Sequence, residues 1–284
     1  MPSTTPDTEH LQLPTGPVDV RLVVTDMDGT LLTPDGDVPD GLWPLLERLR
    51  ERGVAFAPAS GRQHATLART FDRPGVLEDL VIIAENGAFV TRGGEEVSSD
   101  ALDHDAVSDV VTAVRGLARS RDVGAVVAGR RCAYVERSDA AFLDHVSAYY
   151  ARLEVVDDVL ATRDQVLKVA VYDAADAEAG TLPTLERFRQ THQVVVSSRH
   201  WVDVMNRGVD KGVAVRTLQE ALGVTPAQTV AFGDYLNDVP MLDAATWSFA
   251  MAGAHPEVLE RARFTAPSNA DAGVLTVLEH LLDD

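Results

Sequence analysis

The chain reads as an α/β protein, a parallel sheet flanked by crossover helices with a second α/β unit inserted into it. Two observations carry this. Short apolar runs of strand length alternate with stretches of helical periodicity along most of the sequence, the pattern of repeated strand–helix crossovers. Near both ends of the chain such runs stop in acidic turns, whereas the middle shows no comparable constellation. On that division, residues 1–19 form a loose tail, 20–87 and 206–284 a discontinuous core unit, and 88–205 the insertion.

The first strand, Leu22-Val23-Val24-Thr25, runs straight into Asp26-Met27-Asp28-Gly29-Thr30-Leu31-Leu32. In an open parallel sheet the ligand crevice lies beyond the carboxyl ends of the strands, so Asp26 sits at the last point of support and Asp28 in the loop just outside. Two carboxylates held that close repel each other unless a cation or a shared proton intervenes, and their hard oxygens suit Mg²⁺. The segment also reads as a plain Asp–Gly turn. A calcium loop needs further acidic positions and a later glutamate, and Leu31, Leu32 and Pro34 break that register.

Residues 40–52 follow as a helix with Leu42, Leu45, Leu46 and Leu49 on one side and Gly53 at its end. A strand over 54–58 delivers Ala59-Ser60-Gly61-Arg62 to a turn, and 63–71 opens another helix. The N–H groups of such a helix start favour an anion to which Ser60 can donate; a simple helix cap is the competing reading. A third strand over 80–84 ends at the turn Glu85-Asn86-Gly87.

In the insertion, strand-like runs fall at 124–127, 133–135, 166–172 and 193–198, and helical ones at 104–118, 139–150 and 184–191. Residues 91–100 and 172–180 read as exposed connections. His104, His145, His192 and His200 are too scattered for a metal cluster and read as ordinary surface or packing residues.

Chemistry returns at Asp210-Lys211-Gly212, ahead of a helix over 213–222 with Val213, Val215 and Leu218 available to a core. Lys211 is one of two lysines beside 23 arginines, so this position carries a compact point charge where the composition otherwise uses a fork-shaped one. A phosphate oxygen or a carboxylate suits it, and solvated surface is the alternative. A further buried strand over 229–232 then ends in Gly233-Asp234-Tyr235-Leu236-Asn237-Asp238. Asp234 and Asp238 share a side if a helical turn begins there. A helix cap would use one of them and leave the other, and Asn237, unexplained.

The composition narrows the partners. Of 284 residues, 45% are apolar and 24% charged, as in ordinary globular proteins. No apolar run is long enough to span a bilayer, and the first residues, with Pro2, Pro6, Pro14 and Pro17, do not read as a signal peptide. One cysteine, Cys132, excludes an internal disulfide and fits the cytoplasm. A net charge of −19 without basic clusters opposes nucleic acid and anionic membranes, leaving a small molecule as the expected partner. Monomer and dimer both remain open.

Together these segments resemble the haloacid dehalogenase (HAD) superfamily of phosphatases, specifically its Cof-like hydrolases, over nearly the whole chain from about Arg21. Asp26-Met27-Asp28-Gly29-Thr30 is similar to the first motif, Ser60-Gly61-Arg62 to the second, Lys211-Gly212 to the third, and Gly233-Asp234 through Asn237-Asp238-Val239-Pro240-Met241-Leu242 to the fourth. Glu85-Asn86-Gly87-Ala88 resembles the entry to the cap, and Pro267-Ser268-Asn269 with Gly273-Val274 the C-terminal signature. Gly253 departs from the pattern, where relatives often place asparagine.

The resemblance implies a Rossmann-like parallel-sheet core, an α/β cap over 88–205, and Mg²⁺-dependent hydrolysis of small phosphomonoesters such as sugar phosphates or phosphorylated cofactors. It implies Asp26 as nucleophile and Asp28 as general acid and base. It places Mg²⁺ on Asp26, Asp28 through its backbone carbonyl, Asp234 and Asp238, and the phosphoryl oxygens on Ser60, Gly61, Lys211 and Asn237. Arg62, Asn86, Lys168 and Arg199 are candidate substrate contacts. The same core also serves phosphosugar mutases and mannosyl-3-phosphoglycerate phosphatases, and a phosphometabolite sensor without catalysis is the non-enzymatic alternative.

Overall fold

The computed structural model describes residues 18–283, so all but the end of the expected tail over 1–19 lies outside the described residues. Strand β1 (Leu22–Thr25) is buried at every position, as a strand covered on both faces must be. Helix Leu42–Glu51 buries Leu42, Leu45 and Leu49 and leads into β2 (Ala55–Pro58), parallel to β1. Helix His64–Thr70 then leads to β3 (Val81–Ala84), which meets the end of β2 through a parallel bridge between Ala59 and Ile83.

The main pairing of β3 is antiparallel to β4 (Phe89–Arg92), which pairs in turn with β5 (Glu95–Ser99). Residues 91–100, expected as a loop, are therefore largely hairpin. β5 is a polar, mostly exposed edge held by backbone pairing, so it carries no apolar alternation to read. Residues 89–99, placed with the insertion on the sequence, pair with β3 rather than with the second large sheet.

That sheet comprises β6 (Val123–Gly129), β7 (Ala133–Val135), β8 (Leu153–Val155), β9 (Val166–Asp173), β10 (His192–Ser198) and β11 (Trp201–Asn206), in the order β10-β11-β9-β6-β7-β8. Helix His104–Leu117 packs Val107, Val110, Val111 and Val114 on one face, and helix Ala140–Ser147 packs Phe142 and Val146 on the other with Val126, Ala128, Ala170 and Trp201. The single helix expected over 184–191 is instead a short turn, Leu182–Leu185, followed by a 3-10 segment, Glu186–Gln190, and the connection expected over 172–180 ends in another short turn, Ala177–Gly180. β11 was not anticipated, since its central Asp203 interrupts the apolar run.

The chain returns to the core through helix Lys211–Leu222 and continues with β12 (Thr229–Gly233), β13 (Trp247–Met251) and β14 (Phe264–Ala266). Val213, expected to face inward, is 38% exposed; Ala214, Val215 and Leu218 form the buried stripe. All five strands of the core sheet are parallel, in the order β14-β13-β12-β1-β2. One face packs on helices Leu42–Glu51 and Gly273–Asp283, the other on Lys211–Leu222 and Val239–Asp243, giving three layers. β1 and β12 are neighbours in register from Leu22 and Thr229 to Thr25 and Phe232, so both acidic turns emerge side by side. No helix among the described residues is long and apolar enough to cross a membrane.

Candidate active site

Asp26 leaves the end of β1 with its N–H on the Phe232 carbonyl at 2.9 Å, which brings its carboxylate next to the turn that follows β12. The first turn closes against the second at Gly29. Its φ is +80°, and a Cβ there would lie 2.4 Å from Asp234 Oδ2, so only glycine allows the approach. Thr30 Oγ1 donates to Asp234 Oδ1 at 2.8 Å and holds that carboxylate.

Lys211 stands at the start of its helix, whose first turn is capped by Asp210 accepting from the Val213 N–H at 2.7 Å. It is not a surface group: fully buried, its Nζ donates to Asp26 Oδ1 and, at 2.6 Å, to Asp238 Oδ1. Asp238 Oδ2 accepts from the N–H groups of Asp234 and Tyr235 at 3.0 and 3.1 Å, which fixes the turn. Asp26, Asp234 and Asp238 thus each offer an oxygen within 4.8 Å of the others.

One lysine does not neutralise three carboxylates. Burial, and then the Asp238 charge, push the Asp26 carboxyl well above the usual carboxylate range, against the pull of Lys211. Burial and the Asp238 charge likewise push Asp234 up to about 7. Converging hard oxygens that disfavour one another's ionisation are a donor set that suits Mg²⁺. The Asp28 carboxylate stands outside this group. It is gripped by both ends of the Arg62 fork, Nε to Oδ2 at 2.8 Å and Nη2 to Oδ1 at 2.5 Å. Arg62 also rests over the Tyr149 ring, 5.2 Å from its centroid.

Ser60 is buried at the end of β2, with its Oγ accepting from the Arg62 N–H at 3.1 Å. The Gly61 carbonyl accepts from Lys168 Nζ at 2.5 Å. Asn86 is buried and engaged on both sides, Nδ2 donating to Asp203 Oδ2 at 2.5 Å and Oδ1 accepting from Asn237 Nδ2 at 3.1 Å. A cavity of about 120 Å³ lies between Asp26, Asp28, Ser60, Gly61, Arg62, Asp234 and Asn237 on one side and Tyr149, Tyr150, Lys168, Ser197, Ser198, Trp201 and Asp203 on the other.

The four segments singled out on the sequence therefore converge. Lys168 lines the cavity, but its Nζ is already engaged by protein groups. Arg199 is exposed in the β10–β11 turn and does not line the cavity. Tyr149, Tyr150, Ser197, Ser198, Trp201 and Asp203 were missed. Only the Trp201-Val202-Asp203 run, an acid within an apolar strand, carried a signal. A larger cleft, about 1070 Å³, opens at the opposite ends of the strands, beside Arg21 and Gln228, and holds none of the motif residues.

A family model described as haloacid dehalogenase-like hydrolase matches residues 23–278. The chain belongs to that family. This HAD hydrolase is 30% identical over 266 residues to the 5-amino-6-(5-phospho-D-ribitylamino)uracil phosphatase YbjI of Escherichia coli K12, covering 93% of this chain and 96% of that protein. It is 28% identical over 244 residues to the HMP-PP phosphatase of Cronobacter sakazakii, covering 84% and 86%. Its fold matches that of SMU.1108c from Streptococcus mutans UA159 with a TM-score of 0.86 at 24% identity, over 93% of this chain and all of the other. The parallel core sheet and the second α/β sheet are thus those of a HAD hydrolase.

Proposed function

We propose that this HAD hydrolase is a Mg²⁺-dependent phosphatase acting on small phosphomonoesters through an aspartyl-phosphate on Asp26. The observation that supports it is the Asp26 carboxylate, fixed by Lys211, bordering a cavity at the point where three carboxylates converge. In the first step an Asp26 oxygen bonds to phosphorus as the ester P–O bond breaks, and Asp28, which leaves the Arg62 fork and takes up a proton from solvent as substrate enters, gives that proton to the departing alkoxide. In the second, Asp28 takes a proton from a water that attacks the same phosphorus, the acyl–phosphate bond breaks, and phosphate leaves with Asp26 restored. Bound to Asp26, Asp234 and Asp238 with the backbone carbonyl of Asp28, Mg²⁺ would supply positive charge to the phosphoryl oxygens.

Lys211 has three donors and spends two on Asp26 and Asp238, leaving one for a phosphoryl oxygen. The Ser60 hydroxyl, the Gly61 backbone and the Asn237 amide border the remaining oxygens as charge spreads over them. Arg62 holds Asp28 at the mouth of the cavity, where the leaving group must pass. A cavity of about 120 Å³ is small beside the roughly 300–1,000 Å³ of common ligand sites, so a sugar phosphate or phosphorylated cofactor enters with the cap raised and reacts with it seated. A phosphate-release screen over phosphorylated sugars and cofactors, with and without Mg²⁺, tests this. Metal-dependent release is expected, and binding without release from every compound contradicts it.

A further inference from the structure

The chain has two lysines, both buried, and the phosphoryl site uses one of them. The other, Lys168 on β9, reaches from the second sheet into the core. Besides the Gly61 carbonyl at 2.5 Å, its Nζ meets Glu85 Oε2 at 2.9 Å and Asp203 Oδ2 at 3.5 Å. All three side chains are sealed, at 2% exposure or less. From Asp203 the contacts continue through Asn86 to the Asn237 amide. One branch of the network thus ends on the loop carrying Ser60, the other on an amide that borders the phosphoryl cavity.

Buried ionic groups are poor devices for stability, since packed apolar side chains of similar volume serve as well or better. This one supplies fixed geometry. Glu85 and Asn86 hold φ values of +51° and +55° although neither is glycine, a conformation that persists only where the surroundings dictate it. Gly87 follows at +102°, where a Cβ would lie 2.5 Å from the Asp210 carbonyl beside Lys211. The same segment clamps the Ser60 loop, the Asn86 N–H on the Ser60 carbonyl at 2.9 Å and the Glu85 N–H on the Arg62 carbonyl at 3.1 Å.

We infer that Lys168 is a positioning residue for phosphoryl transfer. Seated with the cap, it sets the Ser60 loop through the Gly61 carbonyl and the Asn237 amide through Asp203 and Asn86, so the phosphoryl cradle is complete only when the cap is closed. The inference rests on the phosphatase reading above.

The test compares the full-length wild type with Lys168→Met and Asp203→Ala on p-nitrophenyl phosphate at saturating Mg²⁺, with orthovanadate and inorganic phosphate as inhibitors. A cradle displaced by about an ångström lowers kcat of Lys168→Met by about 10²-fold with KM changed less than about threefold. Vanadate inhibition weakens in step with kcat, while inhibition by phosphate shifts less than about threefold, because the loss is confined to transition-state geometry. Asp203→Ala cuts one branch and shows the same pattern at about tenfold; it carries the comparison if Lys168→Met does not fold. A folded variant with unchanged kcat, or with vanadate and phosphate weakened equally, overturns the inference. If Asp26→Asn is inactive while Lys168→Met is unaffected, this inference alone fails. A wild type inactive on every phosphoester with Mg²⁺ removes the reading beneath it.

Discussion

Lys211 and Lys168 are chemically alike, each buried between two carboxylates, yet they sit in regions with opposite tasks. Around Lys211 a third carboxylate, Asp234, joins Asp26 and Asp238, and Asp26 and Asp234 border a cavity. Around Lys168 the remaining capacity goes to neutral dipoles, the Gly61 carbonyl directly and the Asn86 amide through Asp203, that tie two sheets together. A lysine outnumbered by acids leaves oxygens free to hold a cation. The same ingredients sealed between two units make a joint.

The comparison is tested most severely at Asp26. Asp26→Asn removes the proposed nucleophile while keeping its shape, so phosphate release is expected to fall on the order of 10⁴-fold or more with the melting temperature held or raised. Lys211→Met leaves Asp26 and Asp238 buried without a cation, and denaturant titration of the metal-free protein shows a loss of about 3–5 kcal/mol. Mg²⁺ restores part of that loss. Lys168→Met gains from Mg²⁺ only the increment that the wild type gains, so its deficit stays, because among the described residues the acidic cluster able to hold a metal is Asp26, Asp234 and Asp238.

Mg²⁺ itself stabilises the wild type by about 2.7 kcal/mol at a hundredfold excess over Kd, read from calorimetry. The pH dependence has a definite sign. Asp234 titrates at about 7 when folded against 3.8 as a model group, so between these values the folded state holds more protons than the unfolded one. Metal-free stability from this group therefore falls as pH rises from about 4 to about 7 and levels above, while the Mg²⁺ increment grows over the same window. Melting curves at successive pH values with and without Mg²⁺ check both. The smallest effect is Arg62→Lys, which keeps the charge but loses the two-pronged grip on Asp28 and the stacking on Tyr149. About a tenfold drop in kcat is expected, with the Mg²⁺ increment unchanged.

Much of the core was legible because its signals are local. Fully buried strands such as Leu22–Thr25 and Thr229–Gly233 read as unbroken apolar runs, and each hands its acidic turn to the same sheet edge. The junction was illegible for the converse reason. Asn86 and Asp203 meet across 117 positions and Lys168 and Gly61 across 107, and no periodicity announces such a pairing. Asp203 broke the pattern of β11, and the polar edge β5 had no pattern to break. Lys168, a candidate substrate contact on the sequence, has protein groups as its partners.

Transfer of the phosphoryl group to Asp26 is the step on which the account turns. Rapid acid quench of wild type turning over a radiolabelled phosphomonoester with Mg²⁺, followed by peptide mapping, looks at it directly. Label on the peptide containing Asp26, released by hydroxylamine and absent from Asp26→Asn, is the predicted result. Undiminished phosphate release from Asp26→Asn, or label trapped on another residue, contradicts it.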